Sequence, residues 1–423
     1  MDFKIISLGC PKNLVESEYM ARKLEEAGHV NKEDCDTVII NTCAFITEAI
    51  KESIHVILSQ AENKDKTRLV VTGCLVERYR EKLAELLPEV DTFVGRGDYP
   101  NIDKIIEKKG FFYKKSSFSE TYPRKVFTAK PTAYLKIMDG CNNMCSYCTV
   151  PYIRGPLISR SMEDIEDEFR WLIENGYREI NIIGQDIGSY GRDKGGNLKE
   201  LLRHILRMDG DYYLRLLYLH PLRIDDDLLT MVKNEERIVK YLDIPIQHSE
   251  DRILKLMNRG YTKTYLESLL GKIREKMPDC IIRSTVIIGF PGETEEEFYN
   301  LCEFIKKWGF DNLGAFRYSR EEGTPAYRLR GHVRKGVKEQ RFKGIMEIQR
   351  DISRARLKRL EGLESLVIVE ERDAMGMTGR IILQSPDIDG IAFIKGNGKV
   401  GEIRPCKIVK TLDYDVIVEI LDR

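Results

Sequence analysis

The sequence predicts an α/β protein of three domains: an open N-terminal parallel sheet of the Rossmann or flavodoxin type, a central partial barrel of six βα units, and a small C-terminal antiparallel β-barrel. The first two domains are predicted because apolar strand-like runs alternate with amphipathic helices, and this alternation restarts after a polar stretch around Pro123. The third is predicted because only short strand-like runs follow Gly362. The expected domains are residues 1–118, 125–357 and 362–423.

Composition and charge disfavour several classes of protein. The hydrophobic fraction of the 423 residues is 42%, which is ordinary for a packed globular protein. The 68 basic and 68 acidic residues balance, so the overall charge does not favour gripping nucleic acid over a broad basic face. Ten cysteines are too few for a disulfide scaffold, no apolar run approaches the length of a membrane span, and the N-terminus lacks a cleavable signal pattern. We therefore expect a cytoplasmic protein with no membrane partner, in which clustered cysteines serve metal or redox chemistry.

The N-terminal domain is predicted to be a parallel sheet with helices on both faces, because strands and helices alternate along it. The strands are Phe3–Leu8, Thr37–Asn41, Leu69–Thr72 and Thr92–Val94, and the helices are Lys12–Ala27, Ile46–Ala61 and Leu75–Leu87.

Three cysteines of this domain occupy equivalent places. Cys10, Cys43 and Cys74 each follow the carboxyl end of a predicted strand. In an open α/β sheet the ligand crevice lies outside those ends, so we expect the three thiols to converge on one site. The alternative is that they are small residues packing under loops, as free cysteines often do. Cys35 precedes its strand and is left out of the predicted site.

The central domain follows a polar segment, Lys114–Lys130, which we interpret as a linker. Six strand-like runs come after it, with helices between them, and a barrel of this kind keeps its reactive groups at the carboxyl ends of the strands. The strands are Ala133–Met138, Glu179–Gly184, Tyr213–Leu219, Tyr241–Ile246, Ile281–Ile288 and Asn312–Tyr318. The helices include Met162–Asn175, Asp225–Lys233, Asp251–Met257, Lys263–Lys276 and Thr294–Trp308.

The loop after the first of these strands carries three more thiols, Cys141, Cys145 and Cys148. Soft thiolates on a short loop suit zinc, Cu(I) or an iron–sulfur cluster. A closed zinc site usually takes four protein ligands, and neither a fourth Cys nor a His lies nearby in the sequence. A cubane cluster on three cysteines would leave one iron open to a small chelating molecule.

This CxxxCxxC spacing resembles that of the radical S-adenosylmethionine (SAM) enzymes. The resemblance implies a partial TIM-like barrel, a [4Fe–4S] cluster on the three cysteines, and SAM chelated at the open iron and cleaved to a 5′-deoxyadenosyl radical. Five residues at the same barrel mouth are expected to contact SAM, although each also has an ordinary structural explanation. They are Tyr147, Gln185, Asp186, Gln247 and Arg283.

The N-terminal segments LGCPKNLVESE, INTCAFI and TGCLVERY resemble those of the methylthiotransferases, a subgroup of radical SAM enzymes. The resemblance runs through almost the whole chain and implies a second [4Fe–4S] cluster on Cys10, Cys43 and Cys74, involved in delivering sulfur. Beyond a charged helical stretch, Glu339–Leu360, the terminal domain resembles the TRAM domain, a small barrel of the oligonucleotide-binding type. Its predicted strands are Ser365–Glu370, Thr378–Leu383, Ala392–Lys395, Glu402–Lys410 and Asp415–Ile420.

Two branches of the methylthiotransferases compete for this chain. Pro11-Lys12-Asn13 after the first cysteine and Tyr318–Thr324 (YSREEGT) resemble the branch that modifies an aspartate of small-subunit ribosomal protein twelve. From Gly362 to Arg423 there are eight Lys and Arg against eleven Asp and Glu, which suits a basic protein partner better than RNA. Arg96 departs from the family pattern, which usually has a smaller residue there.

The resemblance also implies a mechanism and partners. The radical takes a hydrogen atom from the aspartate β-carbon, the second cluster site provides sulfur, and another SAM provides the methyl group. The electron comes from a reductant such as flavodoxin or ferredoxin, and the ribosomal protein is modified free or on the ribosome. The alternatives are methylthiolation of an adenosine beside the tRNA anticodon, and a non-catalytic electron carrier with two clusters. Cys280, Cys302 and Cys406 are interpreted as packing residues.

Overall fold

The computed structural model describes residues 1–62, 67–115, 122–374 and 376–421. Its N-terminal domain is a parallel sheet of six strands in the order β2-β1-β3-β4-β5-β6. The strands are β1 (Asp2–Ser7), β2 (Val30–Asn31), β3 (Thr37–Thr42), β4 (Arg68–Gly73), β5 (Thr92–Val94) and β6 (Gly110–Phe112). The helices are α1 (Pro11–Glu26), α2 (Thr47–Glu62), α3 (Cys74–Tyr79), α4 (Glu81–Leu86) and α5 (Ile102–Ile105).

This sheet differs from the prediction in two respects. The single helix expected over Leu75–Leu87 is wrong, because the backbone of Arg80 adopts a φ of 50° and separates α3 from α4. The edge strands β2 and β6 were not predicted, since they have only two and three residues and are only partly buried. The four predicted strands form β1, β3, β4 and β5, so a parallel sheet is confirmed.

The central domain is an open barrel of six parallel strands in the order β14-β13-β12-β11-β10-β7, as predicted. β8 and β9 form a separate two-stranded antiparallel sheet. The strands of the central domain are β7 (Thr132–Lys136), β8 (Met138–Asp139), β9 (Ile158–Ser159), β10 (Glu179–Ile183), β11 (Tyr213–Leu216), β12 (Ile238–Asp243), β13 (Ile281–Ile288) and β14 (Asn312–Arg317). The helices are α6 (Val150–Arg154), α7 (Met162–Glu174), α8 (Leu198–Ile205), α9 (Asp226–Asn234), α10 (Asp251–Leu256), α11 (Lys263–Lys276), α12 (Glu295–Trp308) and α13 (Lys335–Lys358).

The segment expected to be a linker is anchored to the domains on either side of it. Arg124 is buried and donates to Glu168 Oε1 over 2.6 Å and also to Glu18 on α1. The predicted linker therefore ties α1 to α7, and its residues 116–121 lie outside the described part of the chain.

The terminal domain is a closed five-stranded barrel, as predicted. All its strand pairs are antiparallel except one, because β17 and β19 run parallel. The strands are β15 (Glu364–Asp373), β16 (Gly376–Ile381), β17 (Ala392–Lys395), β18 (Ile403–Thr411) and β19 (Val416–Ile420).

The interior of the open central barrel is covered by the other two domains. Val15 of α1 and Ile368 and Ile382 of the terminal domain pack with Tyr134 and Tyr241 of the central strands in one buried cluster. The three domains thus share a core at the open side of the barrel. Within the described residues, no helix is long and apolar enough to cross a membrane.

Candidate functional site

The thiols of Cys10, Cys43 and Cys74 lie in one neighbourhood at the carboxyl edge of the N-terminal sheet. β1, β3 and β4 are adjacent and parallel, so the residues that follow them share this edge. Cys10 precedes α1, Cys43 follows β3, and Cys74 begins α3. The packing is close, because a methyl group on Gly9 would lie 2.8 Å from Cys43 Sγ.

Asn13 connects the loops that carry these thiols. Its side-chain amide donates to the carbonyl groups of Leu8, over 2.9 Å, and Thr42, over 3.0 Å. Its Oδ1 lies 3.8 Å from Cys74 Sγ. In the sequence, Pro11-Lys12-Asn13 was noted only as a motif that resembles one branch of the family. In the structure, Asn13 holds the three loops together.

Burial and neighbouring charges act differently on the three thiols. Burial raises the pKa of Cys43 to about 12, and the negative charge of ionised Cys74 adds to this effect. Burial also raises the pKa of Cys74, although Arg154 opposes it. Burial disfavours ionisation of Cys10 too, but Lys12 and Arg154 together outweigh it and lower its pKa. A bound cationic centre would favour the thiolates, because metal binding releases the thiol protons.

The second set of thiols lies on the loop that leaves β8. The N–H of Cys141 donates to the Gly155 carbonyl over 3.2 Å, and the N–H of Cys148 to the Cys145 carbonyl over 3.0 Å. Ser146 fastens the loop to the end of α10, since its hydroxyl donates to the Leu256 carbonyl over 2.6 Å. Burial raises the pKa of Cys141 to about 11 and that of Cys148 further.

Gln185 has an unused acceptor beside this loop. Its amide nitrogen donates to Asp139 Oδ1 over 2.8 Å. Its Oε1 is buried and has no hydrogen-bond partner among the residues that the structure describes. A buried acceptor without a partner is costly, so this atom suits a donor from a bound molecule, such as an ammonium group.

The other residues predicted to contact SAM are placed as follows. Tyr147 packs beside the apolar cluster that includes Phe290. Asp186 accepts from the Asn143 side chain over 2.8 Å and so holds the cysteine loop. Gln247 adopts a φ of 67°, and its backbone bridges to β13. Arg283 on β13 donates to Asp389 of the terminal barrel over 2.9 Å.

A buried ionic network joins the two thiol sites. Glu16 of α1 accepts from Arg96 and Lys136, each over 2.7 Å, and from Arg154 over 2.9 Å. Asp139, two residues before Cys141, accepts from Lys136 and Arg154, each over 3.1 Å, and from Arg96. Burial raises the pKa of both carboxyls, but the three cations outweigh it and hold both pKa values below their usual range.

The network explains the departure from the family pattern at Arg96. Its side chain is fully buried and pairs with a carboxylate in each of two domains. Sequence reasoning missed this role, and the available signal was a charged residue two positions after the buried strand β5. Glu321 forms a second junction, because it accepts from the Thr47 N–H over 2.7 Å and from Arg78 over 2.8 Å.

The two thiol sites are therefore neighbours across the domain boundary. Thr149, next to Cys148, donates to the carbonyl of Phe45, two residues after Cys43, over 2.9 Å. Arg154, at the end of the helix that follows Cys148, lies 3.6 Å from Cys74 Sγ. The sequence predicted each set of thiols, and the folded chain brings the two sets together.

The donor atoms of each site are of a kind that an iron–sulfur cluster takes. Across the described residues, no three His, Cys, Asp or Glu side chains converge where one metal ion would bind. A cubane is larger than an ion, so its thiolate ligands stand further apart around it. Each site offers three soft sulfur ligands whose charges act on one another. A [4Fe–4S] cluster held by three cysteines would leave one iron for another molecule.

Three family models match the chain. The Radical SAM superfamily model matches residues 135–305, the model described as Uncharacterized protein family UPF0004 matches residues 2–95, and the TRAM domain model matches residues 362–421.

Curated proteins match the chain over nearly its whole length. The protein named Ribosomal protein uS12 methylthiotransferase RimO from Geobacter sulfurreducens is 45% identical, over 99% of this chain and 98% of that protein. Proteins of the same name from Geotalea uraniireducens and a Thermotoga species are 42% and 39% identical. The match to the Geotalea protein covers 99% of this chain and 98% of that protein, and the match to the Thermotoga protein covers 97% of this chain and 97% of that protein.

Solved structures of radical SAM enzymes share the fold. The radical SAM methyltransferase TsrM from Kitasatospora setae, with cobalamin and a [4Fe–4S] cluster bound, has a TM-score of 0.57 at 14% identity, over 77% of this chain and 73% of its own. The cobalamin-dependent enzyme OxsB has a TM-score of 0.51 at 12% identity, over 82% of this chain and 56% of its own.

Proposed function

This chain belongs to the RimO family of ribosomal protein uS12 methylthiotransferases, and from that premise we propose that it attaches a methylthio group to uS12. The modified atom is the β-carbon of an aspartate side chain. The observation that carries the proposal is the contact of Arg154, beside one set of thiols, with Cys74 of the other set. Neighbouring sites suit a reaction in which a carbon is activated at one and meets sulfur at the other.

The match to the radical SAM superfamily implies one [4Fe–4S] cluster and SAM. When bound, they supply a 5′-deoxyadenosyl radical, which removes a hydrogen atom from a carbon that acid–base chemistry would not activate. We assign Cys141, Cys145 and Cys148 as the ligands. Gln185 supports this site because its buried Oε1 has an unfilled acceptor position within the described chain.

The other contacts to SAM remain predictions. Tyr147 lies on the cysteine loop and can stack on an aromatic base. Asp186 orients that loop through Asn143. Gln247 follows β12 at the barrel mouth, and Arg283 on β13 is paired with Asp389 of the terminal barrel.

The second cluster is assigned to Cys10, Cys43 and Cys74. Its support is the arrangement of three thiols at the carboxyl ends of adjacent strands, with Lys12 and Arg154 favouring thiolate at Cys10. Positive charge beside a thiolate ligand set is the environment in which such cysteines ionise. The chain's own contribution is to hold this set against the radical site through Glu16 and Asp139.

The assignment of uS12 as the substrate rests on the relatives rather than on the charge of the terminal barrel. Two acids of its acidic excess hydrogen-bond to the central domain. The Asp389 side chain is withdrawn from solvent there, whereas Asp387 stays exposed. Asp387 accepts from the Tyr134 hydroxyl over 2.9 Å, and Asp389 accepts from that of Tyr241 over 2.8 Å. The expected acidic docking face is correspondingly reduced.

The remaining partners follow from the chemistry. A [4Fe–4S] cluster takes one electron at a time, so flavodoxin or ferredoxin is a suitable reductant. All ten cysteines are free, which suits the reducing cytoplasm.

We assign residues 1–118 to the sulfur-delivering domain, 125–357 to the radical domain and 362–423 to the TRAM domain.

The test is an anaerobic reaction of the reconstituted protein with SAM, reductant and a peptide of the uS12 target loop. Mass spectrometry should find a methylthio group in place of one hydrogen on the aspartate, together with 5′-deoxyadenosine. The Cys141→Ala protein should form neither product. Modification of tRNA in a parallel reaction, with an unmodified peptide, would contradict the proposed substrate.

The second cluster has its own test, which is the iron content of the Cys10→Ala, Cys43→Ala, Cys74→Ala triple variant. About four irons per chain should be lost and about four retained. An unchanged iron content would exclude the second cluster while leaving the radical site intact.

A further inference from the structure

Each set of cysteines has one buried arginine against one of its sulfurs. Arg154 Nη2 lies 3.6 Å from Cys74 Sγ, and Arg259 Nη1 lies 3.2 Å from Cys145 Sγ. Arg154 is 8% exposed and Arg259 is 5% exposed, so water screens neither contact strongly. A guanidinium N–H directed at sulfur is a charge-assisted donor in both cases.

Arg154 is fixed by the network at the domain boundary. Its Nη2 donates to Asn13 Oδ1 over 2.5 Å, and its Nη1 donates to Glu16 over 2.9 Å and to Asp139 over 3.1 Å. Two carboxylates therefore share its positive charge. These three contacts fix the orientation of the guanidinium group, and in this orientation Nη2 also faces Cys74 Sγ.

Arg259 is fixed without a carboxylate. Its Nε donates to the Tyr261 hydroxyl over 2.8 Å, and its Nη2 donates to the Pro245 carbonyl over 2.9 Å. Tyr261 is itself held, because its hydroxyl donates to the Ile246 carbonyl over 2.8 Å. No acidic side chain pairs with Arg259 in the part of the chain that the structure describes. Its charge therefore acts on Cys145 with less neutralisation than that of Arg154 on Cys74.

The reduction potential of an iron–sulfur cluster depends on its net charge and on hydrogen bonds to its sulfurs. Reduction adds negative charge, and a fixed positive donor at a ligand sulfur stabilises that charge. We propose that Arg154 and Arg259 each raise the reduction potential of the cluster on their own set of cysteines, so that the two potentials are set separately. The Arg154 half rests on the proposed second cluster, whereas the Arg259 half requires only the radical SAM cluster.

The experiment measures each cluster alone by a redox titration followed by electron paramagnetic resonance. Arg259→Met and Arg259→Lys are placed in the Cys10→Ala, Cys43→Ala, Cys74→Ala protein, and Arg154→Met and Arg154→Lys in the Cys141→Ala, Cys145→Ala, Cys148→Ala protein. The control is Arg160→Met in both, because Arg160 is buried and pairs with Glu168, and none of its hydrogen bonds within the described residues goes to a cysteine. Iron content is measured for every protein.

Both methionine variants should retain iron and titrate at a lower potential, with the larger shift for Arg259→Met. The lysine variants should recover part of the shift because they keep the charge, and Arg160→Met should not shift either potential. Unchanged potentials with iron retained would overturn the proposal. Loss of iron from both the methionine and the lysine variant would also overturn it, because the arginine would then hold the site rather than tune it.

Failure of the proposed function has a different result. If the protein without Cys141, Cys145 and Cys148 binds no cluster, the second cluster is absent and the Arg154 half is overturned. The redox titration of the Arg259 variants would still test whether Arg259 raises the potential of the radical SAM cluster. Absence of a methylthiolated peptide changes neither titration.

Discussion

Arg380 of the terminal barrel and Glu179 of the central barrel form a buried ion pair across the domain boundary, with 2.7 Å between Nη1 and Oε1. Glu179 also accepts from Arg215 over 2.9 Å and from the Thr132 hydroxyl over 2.9 Å. Both of its oxygens are therefore used inside the protein. The terminal barrel is fixed to the radical domain by charge as well as by apolar packing.

Glu179→Gln should destabilise the protein strongly. The substitution keeps the shape but leaves Arg380 and Arg215 buried without their carboxylate, and breaking a buried pair in this way costs about 3–5 kcal/mol. The measurement is the free energy of unfolding by denaturant. Glu303→Gln is the control, because Glu303 pairs with Lys306 on the surface. A loss no greater than that of the control would show that the pair does not secure the boundary.

The contribution of Glu179 should depend on pH. Burial raises its pKa, but Arg380 and Arg215 outweigh burial and lower it from 4.5 to about 2. A lowered pKa gives stability that is complete above the unfolded value and is lost as pH falls through the folded value. The difference in melting temperature between wild type and Glu179→Gln should thus be constant from neutral pH to about 5 and shrink toward pH 2. A difference that grew on acidification would contradict the assignment.

Glu321→Ala should loosen the junction between the N-terminal and central domains. Glu321 is buried and accepts from the N–H and hydroxyl of Thr47 at the start of α2, and from Arg78. Hydrogen bonds to a charged group contribute about 1.5–3 kcal/mol, so amide hydrogen exchange at the start of α2 should accelerate roughly tenfold or more. Glu322→Ala is the matched control, since Glu322 is the exposed neighbour. Equal rates of amide exchange at the start of α2 in the two variants would show that Glu321 does not stabilise the junction.

The sequence predicted those features that depend on local patterns. Lys263–Lys276 and Ala392–Lys395 have the predicted bounds, and in the first case Thr262 provides the N-cap. The two sets of cysteines could be predicted because their position at strand ends is visible in the chain order. The split at Arg80 was not found, because a single positive φ leaves the apolar periodicity of both helices intact.

The features missed depend on partners distant in sequence. Arg96 pairs with Asp139, and Arg259 contacts Cys145, across intervals that carry no periodic signal. A buried charge looks like a surface charge until its partner is known. Arg154 and Glu321 were missed for the same reason, so the connection between the two thiol sites required the folded structure.

Gly9→Ala should remove the second cluster while sparing the first. Gly9 has a φ of 87°, and an added Cβ would lie 2.6 Å from Cys43 Cβ and 2.8 Å from its Sγ. Cys43 would have to move, because real Cβ atoms do not approach so closely. Iron content after reconstitution should fall by about four per chain, while SAM is still cleaved to 5′-deoxyadenosine.

Gly28→Ala separates this displacement from backbone strain. Gly28 has a φ of 88°, but an added Cβ would meet no atom within 4 Å. Both substitutions impose the left-handed penalty of about 1–2 kcal/mol, and Gly9→Ala adds the displacement of Cys43 to it. Only Gly9→Ala should lose iron, because only there does the methyl group occupy the space of a thiol. Full iron content in Gly9→Ala would mean that Cys43 is not a ligand, whereas iron loss in both would trace the effect to strain in the domain.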